Sequence, residues 1–410
     1  MSLPKLTIII PTICRPDTLF WTLQTVLNQE YENYKVIVSD NFSNDNTKEI
    51  VDSFRSDKII YVNPGKRLSM SSHWEFALDQ VQEGYVTILG DDDGLLPGSL
   101  VRTGEILRRH PVQALGWRFC NFTWKGVPPH FMIPMANYYR IVNAGEEIKR
   151  IFRQNMYSTI RFPSLYGGFV DIRLIKRLKE KYGGTFFHSR IPDFFSGAMI
   201  AASVQKYIRL EFPVSINATS RHSTGFAATS NPFGQNLFTD MREGNDNIPF
   251  DEKLVFISSL VVPIAEAMIR VHELVPSFPE IRIEKLLGEI AAEAASTNDR
   301  KKFDELKNGI AQIAILNGME AYGKQLSEEI SFNPSETKVK RKFSLLSITL
   351  YIDTRNKELN NVKEACDFAG KVIAKRYYRL TYGIFMPWFR INALVRWLFL
   401  KTISSQRHNL

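Results

Sequence analysis

Three consecutive carboxylates, Asp91, Asp92 and Asp93, follow the run Tyr85-Val-Thr-Ile-Leu89-Gly90 and precede Gly94. Residues 85–89 read as a buried strand and Pro97-Gly98 as the start of a turn, so the acids sit at a strand end. Adjacent acids repel, and holding them beside Ile88 and Leu89 is unfavourable unless a cation is near. In an extended segment alternate side chains share a face, which sets Asp91 and Asp93 together and Asp92 away. Two carboxylates on one side suit a hard divalent ion, manganese or magnesium, that keeps waters and takes further oxygens from a phosphate. The alternative is an acid-rich turn or helix start with no ion.

Other residues with chemical potential lie further along. Ser164-Leu-Tyr-Gly-Gly-Phe169 places Gly167 and Gly168 where backbone either approaches something closely or turns. Arg190-Ile-Pro-Asp-Phe-Phe-Ser-Gly197 puts Asp193 at the mouth of an apolar helix over 194–204, where an acid serves as an N-cap and meets the helix dipole favourably. His222, flanked by Arg221, Ser223 and Thr224, is either a binding residue or a surface one. Trp117 and Trp124 are a platform for a sugar ring or ordinary core aromatics.

The elements that must position these groups alternate. Strands are expected at 5–10, 35–39, 58–62 and 85–89, with helices at 16–28, 44–54 and 71–81 between them. Such spacing indicates an α/β fold with a mostly parallel sheet flanked by helices. Every polar cluster in this half follows a strand: Pro11, Thr12 and Arg15 the first, Asp40, Asn41 and Ser43 the second, Arg67 the third, and the acid triplet the fourth. Ligands of these sheets bind at carboxyl ends of strands where the strand order reverses. Four strand ends therefore converge on one crevice, although Asp40 and Ser43 also suit simple capping of the helix over 44–54. A helix over 99–109 and a strand over 114–122 follow, with a strand pair near 206–216.

Ile8-Ile-Ile-Pro-Thr12, Val38-Ser-Asp-Asn-Phe-Ser-Asn-Asp45, Met70-Ser-Ser-His-Trp-Glu-Phe-Ala-Leu78 and Gly90-Asp-Asp-Asp-Gly94, in this order, resemble family 2 glycosyltransferases of the GT-A fold. The resemblance implies a nucleotide-sugar donor, with a UDP-sugar favoured. Pro11 and Thr12 would line the base pocket, Asp40 would accept a hydrogen bond from the base, and Arg67 would lie near the base or phosphates. Arg15, Asn41 and Asp92 join them in the donor site, Asp91 would approach the ribose or sugar, and Gly167-Gly168 would abut the sugar. Asp93 would coordinate the metal that bridges the phosphates, with His222 completing that shell. Asp193 matches the family's general base, which removes the acceptor hydroxyl's proton as the new bond forms. Many members carry a second acid just before the base, and here Pro192 stands there.

The composition is that of an ordinary globular protein, 44% apolar and 23% charged over 410 residues. That length suggests a catalytic unit with additions. A GT-A domain is expected over 1–245, with residues 1–125 serving the donor and residues 126–245 serving the acceptor and catalysis. A helical bundle over 246–333, a linker over 334–342 and a basic amphipathic region over 343–410 would follow. Acceptor binding, homo-oligomerisation or plain packing are the tasks open to the bundle. The net charge of +9 does not indicate nucleic acid, because residues 371–410 carry eight Lys and Arg and no acid, leaving the rest near neutral. In 371–401 the residues Ile391, Leu394, Val395 and Leu398 share a helical face opposite basic residues, as in a helix lying on an anionic membrane surface. Docking on the bundle or on another subunit is the alternative.

Cys14, Cys120 and Cys366 have no redox or metal spacing, and the N-terminus reads as entering a strand at once. A cytoplasmic protein peripheral to the inner membrane face is the expectation, moving one sugar with inversion onto a lipid-linked glycan destined for surface polysaccharide. A nucleotidyltransferase shares the metal logic but needs a Gly-rich basic loop after the first strand, where this chain has Pro-Thr-Ile-Cys-Arg-Pro. A non-catalytic scaffold of the same fold is the third reading.

Overall fold

The computed structural model describes residues 3–221, 223, 248–332, 349–354 and 359–381, with side chains of the final helix as far as 375. The N-terminal half runs β1 (Leu6–Thr12), α1 (Pro16–Leu27), β2 (Tyr34–Asp40), α2 (Thr47–Ser53), β3 (Ile59–Val62), α3 (Met70–Asp79) and β4 (Tyr85–Ile88). β2 and β3 lie to one side of β1 and β4 to the other, all parallel. The order reverses between β1 and β4, and the crevice such a reversal leaves lies beyond Thr12 and Ile88.

β1 is buried on both faces, as parallel strands covered by helices are. Leu6, Ile8 and Ile10 pack with Leu19, Leu23 and Val26 of α1. Ile9 turns the other way and packs with Trp74, Ala77 and Leu78 of α3. An unbroken β-branched run therefore reads as one strand with two buried sides.

The chain continues through β5 (Gly94–Leu95), α4 (Ser99–Arg109), β6 (Ala114–Thr123), β7 (Phe131–Pro134), β8 (Tyr139–Asn143), α5 (Ala144–Phe152), a 3-10 helix (Met156–Arg161), β9 (Gly168–Asp171), α6 (Ile172–Lys181), α7 (Pro192–Ser203) and β10 (Lys206–Thr219). β9 runs antiparallel between β4 and β6, joining the parallel half to the rest of a mixed sheet. The pair expected near 206–216 is instead the single strand β10, parallel to β6, with register shifts on either side of Pro213.

Helices follow: α8 (Val261–Leu274), α9 (Ile283–Ser296), α10 (Arg300–Leu316) and α11 (Glu320–Glu329). Their apolar faces share one continuous core with Ile88, Trp74 and α7, so 248–332 packs as an extension of the sheet-bearing unit. The described part of the region expected to be basic and amphipathic, 343–410, is packed on the rest of the protein. β11 (Thr349–Ile352) pairs antiparallel with β7, and α12 (Val362–Thr381) buries Val362, Ala365, Cys366 and Ala369. The linker over 334–342 and the amphipathic face over 391–398 lie outside the described residues.

Candidate active site

The acid loop leaves β4 at Ile88 and turns at once, so the alternation expected of an extended segment does not apply. Asp91, Asp92 and Asp93 are 4%, 6% and 2% exposed, and their carboxylates diverge into separate sets of donors. Asp91 accepts from Thr12 Oγ1 at 2.8 Å and from Arg15 Nη1 at 3.0 Å, which ties the loop to β1 across the strand-order reversal. Asp92 accepts through Oδ2 from the hydroxyls of Ser220, at 2.7 Å, and Ser223. Asp93 accepts from Gly90 N at 3.1 Å, from Ala218 N at 2.7 Å and from the Tyr166 hydroxyl.

A stripe on α1 holds the loop's backbone. Thr22 Oγ1 lies 3.0 Å from Asp91 O and 2.7 Å from Asp93 O, Thr25 Oγ1 accepts from Leu95 N, and Gln29 bonds both Leu96 O and Leu100 N. Thr22 and Thr25, neither anticipated, lie three apart on the buried side of the helix, and Gln29 follows just past its C-terminus. Polar side chains at that spacing on an otherwise apolar face were the signal that could have found them. The indole of Trp124 adds a bond to Asp92 O at 3.0 Å, whereas Trp117 is core, bonded to Ser215 and packed on Phe169.

Asp193 stands in the first turn of α7 after Pro192, with Ile191 at the cap position, so it is not the N-cap. Burial pushes its carboxyl up to about 6, partly opposed by the amides of Phe194 and of Asp193 itself. Ser196 Oγ, one turn on, donates to Asp193 O and accepts from Leu165 N, which docks α7 on the loop carrying Tyr166. Trp74 stacks on the Tyr166 ring, with centroids 6.2 Å apart. Charges of Asp93, Asp92 and Asp193 all act on the Tyr166 hydroxyl, which burial first of all holds well above its usual range. The Tyr166 hydroxyl thus bonds one strand-end acid, Asp93, and lies within the electrostatic reach of Asp92 and of the helix acid Asp193.

The remaining candidates divide. Asp40, at the end of β2 opposite Thr12, accepts from Ser43 N, Ser43 Oγ and Tyr61 Oη and caps no helix, since α2 starts at Thr47. Asn41 clasps the backbone of Leu68 in both directions at 2.8 Å, which fixes the exposed Arg67 beside it. Pro11 is half-buried next to Thr12. His73, unanticipated, bonds Ser39 Oγ at 2.8 Å, and burial lowers it to about 4, so it is neutral.

Gly167 and Gly168 are closely approached by protein atoms. A Cβ on Gly168 would stand 2.3 Å from Leu115 O and 2.7 Å from Ser164 O, and one on Gly167 2.6 Å from the Phe119 ring. Gly168→Ala is expected to destabilise the fold by about 1–3 kcal/mol, because the backbone oxygens must move apart. A thermal melt no lower than that of the wild type would show that β9 and β6 yield more easily. His222 lies outside the described residues.

The acids fit a divalent ion in charge more than in shape. Burial, and then the charge of Asp92, push Asp93 up to about 8 against its three donors, and burial raises Asp91 despite Arg15. Among the described residues no group of three or more His, Cys, Asp or Glu is placed to hold an ion. The donor set suits an ion held by one or two carboxylates and completed by water and phosphate oxygens.

The acids of this α/β fold gather where the strand order reverses, which is where such sheets bind their ligands. Residues 7–166, which contain Thr12, Asp40, the acid loop and Tyr166, match the sequence profile of Glycosyl transferase family 2. That span is similar to the family 2 glycosyltransferases, and it holds the parallel strands β1 to β4 that set out the crevice. One curated relative, the GalNAc(5)-diNAcBac-PP-undecaprenol beta-1,3-glucosyltransferase of Campylobacter jejuni, is 36% identical over 190 residues, 44% of this chain and 61% of that protein. This chain therefore matches about three fifths of that relative's length. Among solved structures, the 1–349 portion of S. aureus TarS with UDP-GlcNAc covers 79% of this chain and 88% of its own at 12% identity and a TM-score of 0.48. The mannosyltransferase PcManGT of Pyrobaculum calidifontis with GDP-Man and Mn2+ covers 80% and 87% at 18% identity and a TM-score of 0.38.

Proposed function

We propose that the protein transfers one sugar, with inversion, from a nucleoside-diphosphate donor to a glycan acceptor carried on a lipid. The observation that carries this reading is the docking of the first turn of α7, which bears Asp193, on the loop whose Tyr166 hydroxyl bonds Asp93 of the acid loop. An acid raised toward neutrality beside a second acidic group at the strand ends supplies the two functions the reaction needs. Asp193 takes the proton of the acceptor hydroxyl as that oxygen attacks the anomeric carbon. Pro11, Asp40 and Arg67 border the base, and Arg15 offers a guanidinium beside Asp91 to the donor's polar groups.

Asp93, with Asp92 adjacent, would hold a divalent ion, manganese or magnesium, which when bound neutralises charge on the departing diphosphate. Thr22, Thr25 and Gln29 keep the acid loop in register with β1 while the donor enters and leaves. The lipid-linked acceptor is supported by the Campylobacter relative, whose name specifies an undecaprenol-linked glycan. No described helix is long and apolar enough to cross a membrane, and contact of residues 371–401 with the cytoplasmic membrane surface is part of the same proposal, supported by their basic composition.

A calorimetric panel of UDP, GDP, dTDP and CMP, with and without manganese, tests the reading. Metal-dependent binding of one nucleotide, with uridine first in expectation, supports it. Absence of binding across the panel would refute it.

A further inference from the structure

One face of β10 carries Tyr207, Arg209 and Glu211 at alternate positions. Arg140 of β8 stands opposite Arg209 on one side and Gly116 of β6 on the other, with Arg118 two residues beyond Gly116. α5 adds Glu147 and Arg150, and the 3-10 helix ends in Arg161. These groups act on one another: Glu211, Tyr207, Arg118 and Arg140 on Arg209, and Arg150, Glu147, Glu211 and Arg118 on Arg161. Arg209 precedes Ala218, the partner of Asp93, by nine residues of β10, roughly 25–30 Å of extended chain. The cluster is therefore separate from the acid loop.

Its charges do not balance. Glu147 pairs with Arg150 and lies 3.7 Å from Arg140, and Glu211 pairs with Arg140 at 3.0 Å. Five guanidiniums thus face two carboxylates, and Arg161 and Arg209 bond only neutral oxygens, those of Gln154 and of the Arg161 backbone. Arg118 makes no ion pair or hydrogen bond among the described residues. Arg209 is 7% exposed, and the fully buried Tyr207 hydroxyl has no partner among the described residues. A buried guanidinium without a direct ion pair and an orphan hydroxyl are both unfavourable. The side chains of Arg140 and Arg150 are 42% and 44% exposed, so the cluster opens to solvent.

We propose that this arginine cluster is a second anion site, built to hold a phosphoryl group. The forked donors of Arg118, Arg161 and Arg209 match phosphate oxygens, and the Tyr207 hydroxyl gains an acceptor. The phosphate belongs either to the acceptor's lipid linkage or to a membrane headgroup. The first assignment rests on the glycosyl-transfer reading, and the anion binding itself does not.

The test titrates inorganic pyrophosphate into the full chain by calorimetry, with chelator present so that no divalent ion loads the acid loop. Saturable binding is expected, weakened about tenfold or more by Arg118→Ala. Tyr207→Phe should weaken it too without lowering the melting temperature, because the removed hydroxyl leaves no broken bond. Asp93→Ala should leave it unchanged. No saturable binding by the wild type overturns the proposal, as does binding lost in Asp93→Ala and kept in Arg118→Ala. For the source, a KM for a diphosphate-linked glycan that rises in Arg118→Ala, with kcat kept and no rise for the same glycan lacking phosphate, marks the acceptor. Weaker binding to phosphatidylglycerol vesicles with KM unchanged marks a headgroup. Pyrophosphate binding involves no sugar transfer, so it succeeds or fails independently of the donor panel.

Discussion

Asp193→Asn is expected to lower kcat for sugar transfer by about 10²–10⁴-fold, the usual contribution of a positioned general base, while nucleotide affinity stays within about twofold. The substitution keeps the side chain's size and leaves Pro192, Ser196 and Leu165 to hold the first turn of α7. What it removes is a group able to accept a proton. The pH profile separates this role from a structural one. Burial raises the Asp193 carboxyl to about 6, so it is protonated and inactive as a base below that value and ionised above it. The wild-type rate should therefore climb through about pH 6 and level off, and the variant should lack that limb. Initial rates for both proteins from about pH 5 to 8 decide the matter. A variant within about tenfold of the wild type, or one that keeps the limb, would remove Asp193 from the chemistry.

Asp93→Ala is expected to abolish the manganese-dependent component of nucleotide binding and to lower transfer by about 10³-fold. That figure corresponds to the several kcal/mol a metal contributes to charge stabilisation, at about tenfold per 1.36 kcal/mol. A folding defect is distinguishable through linkage. Asp93 is raised to about 8 in the folded protein, so the native state binds more protons than the unfolded chain between the ordinary carboxylate range and that value. Its contribution to stability is complete below the unfolded pKa and is lost as pH rises through about 8. The wild type should therefore lose melting temperature relative to Asp93→Ala as pH rises from about 4 to 8, without metal. Retained metal-dependent binding in the variant would contradict the assignment and shift it to Asp92.

Much of this site is legible in the residues themselves. The β-branched run at 8–10 and the acids after 85–89 announce a parallel sheet with its chemistry at strand ends, because a strand buried on both faces has few other readings. Asp193 is visible from its place beside Pro192 at an apolar helix. The orientation of the triplet is not, since alternation holds for extended chain and Asp91 begins a turn. Nor is Tyr166, whose importance comes from contacts with residues 73 and 51 positions away, Asp93 and Asn217. Gly167 and Gly168 point by sequence toward a ligand, although the atoms that need their space are Leu115 O, Ser164 O and the Phe119 ring. The last helix is easily misread because its basic residues draw attention from the small apolar stripe Val362, Ala365, Cys366 and Ala369 that buries it.

That stripe reaches back to the acids. Gly94, the residue after Asp93, lies so close to Cys366 and Val362 that a Cβ there would be 2.7 Å and 2.9 Å from their side chains. α12 also packs on α1, whose Thr22 holds Asp91 and Asp93 from the other side. The acid loop is therefore clamped between an early helix and one that is synthesised some 270 residues after the loop itself. During translation the sheet of the N-terminal half would assemble first, as domains tend to fold from the amino end. The acid loop would then wait for its second support until α12 had left the ribosome, so the geometry of the acids would be completed by a late segment of the growing chain.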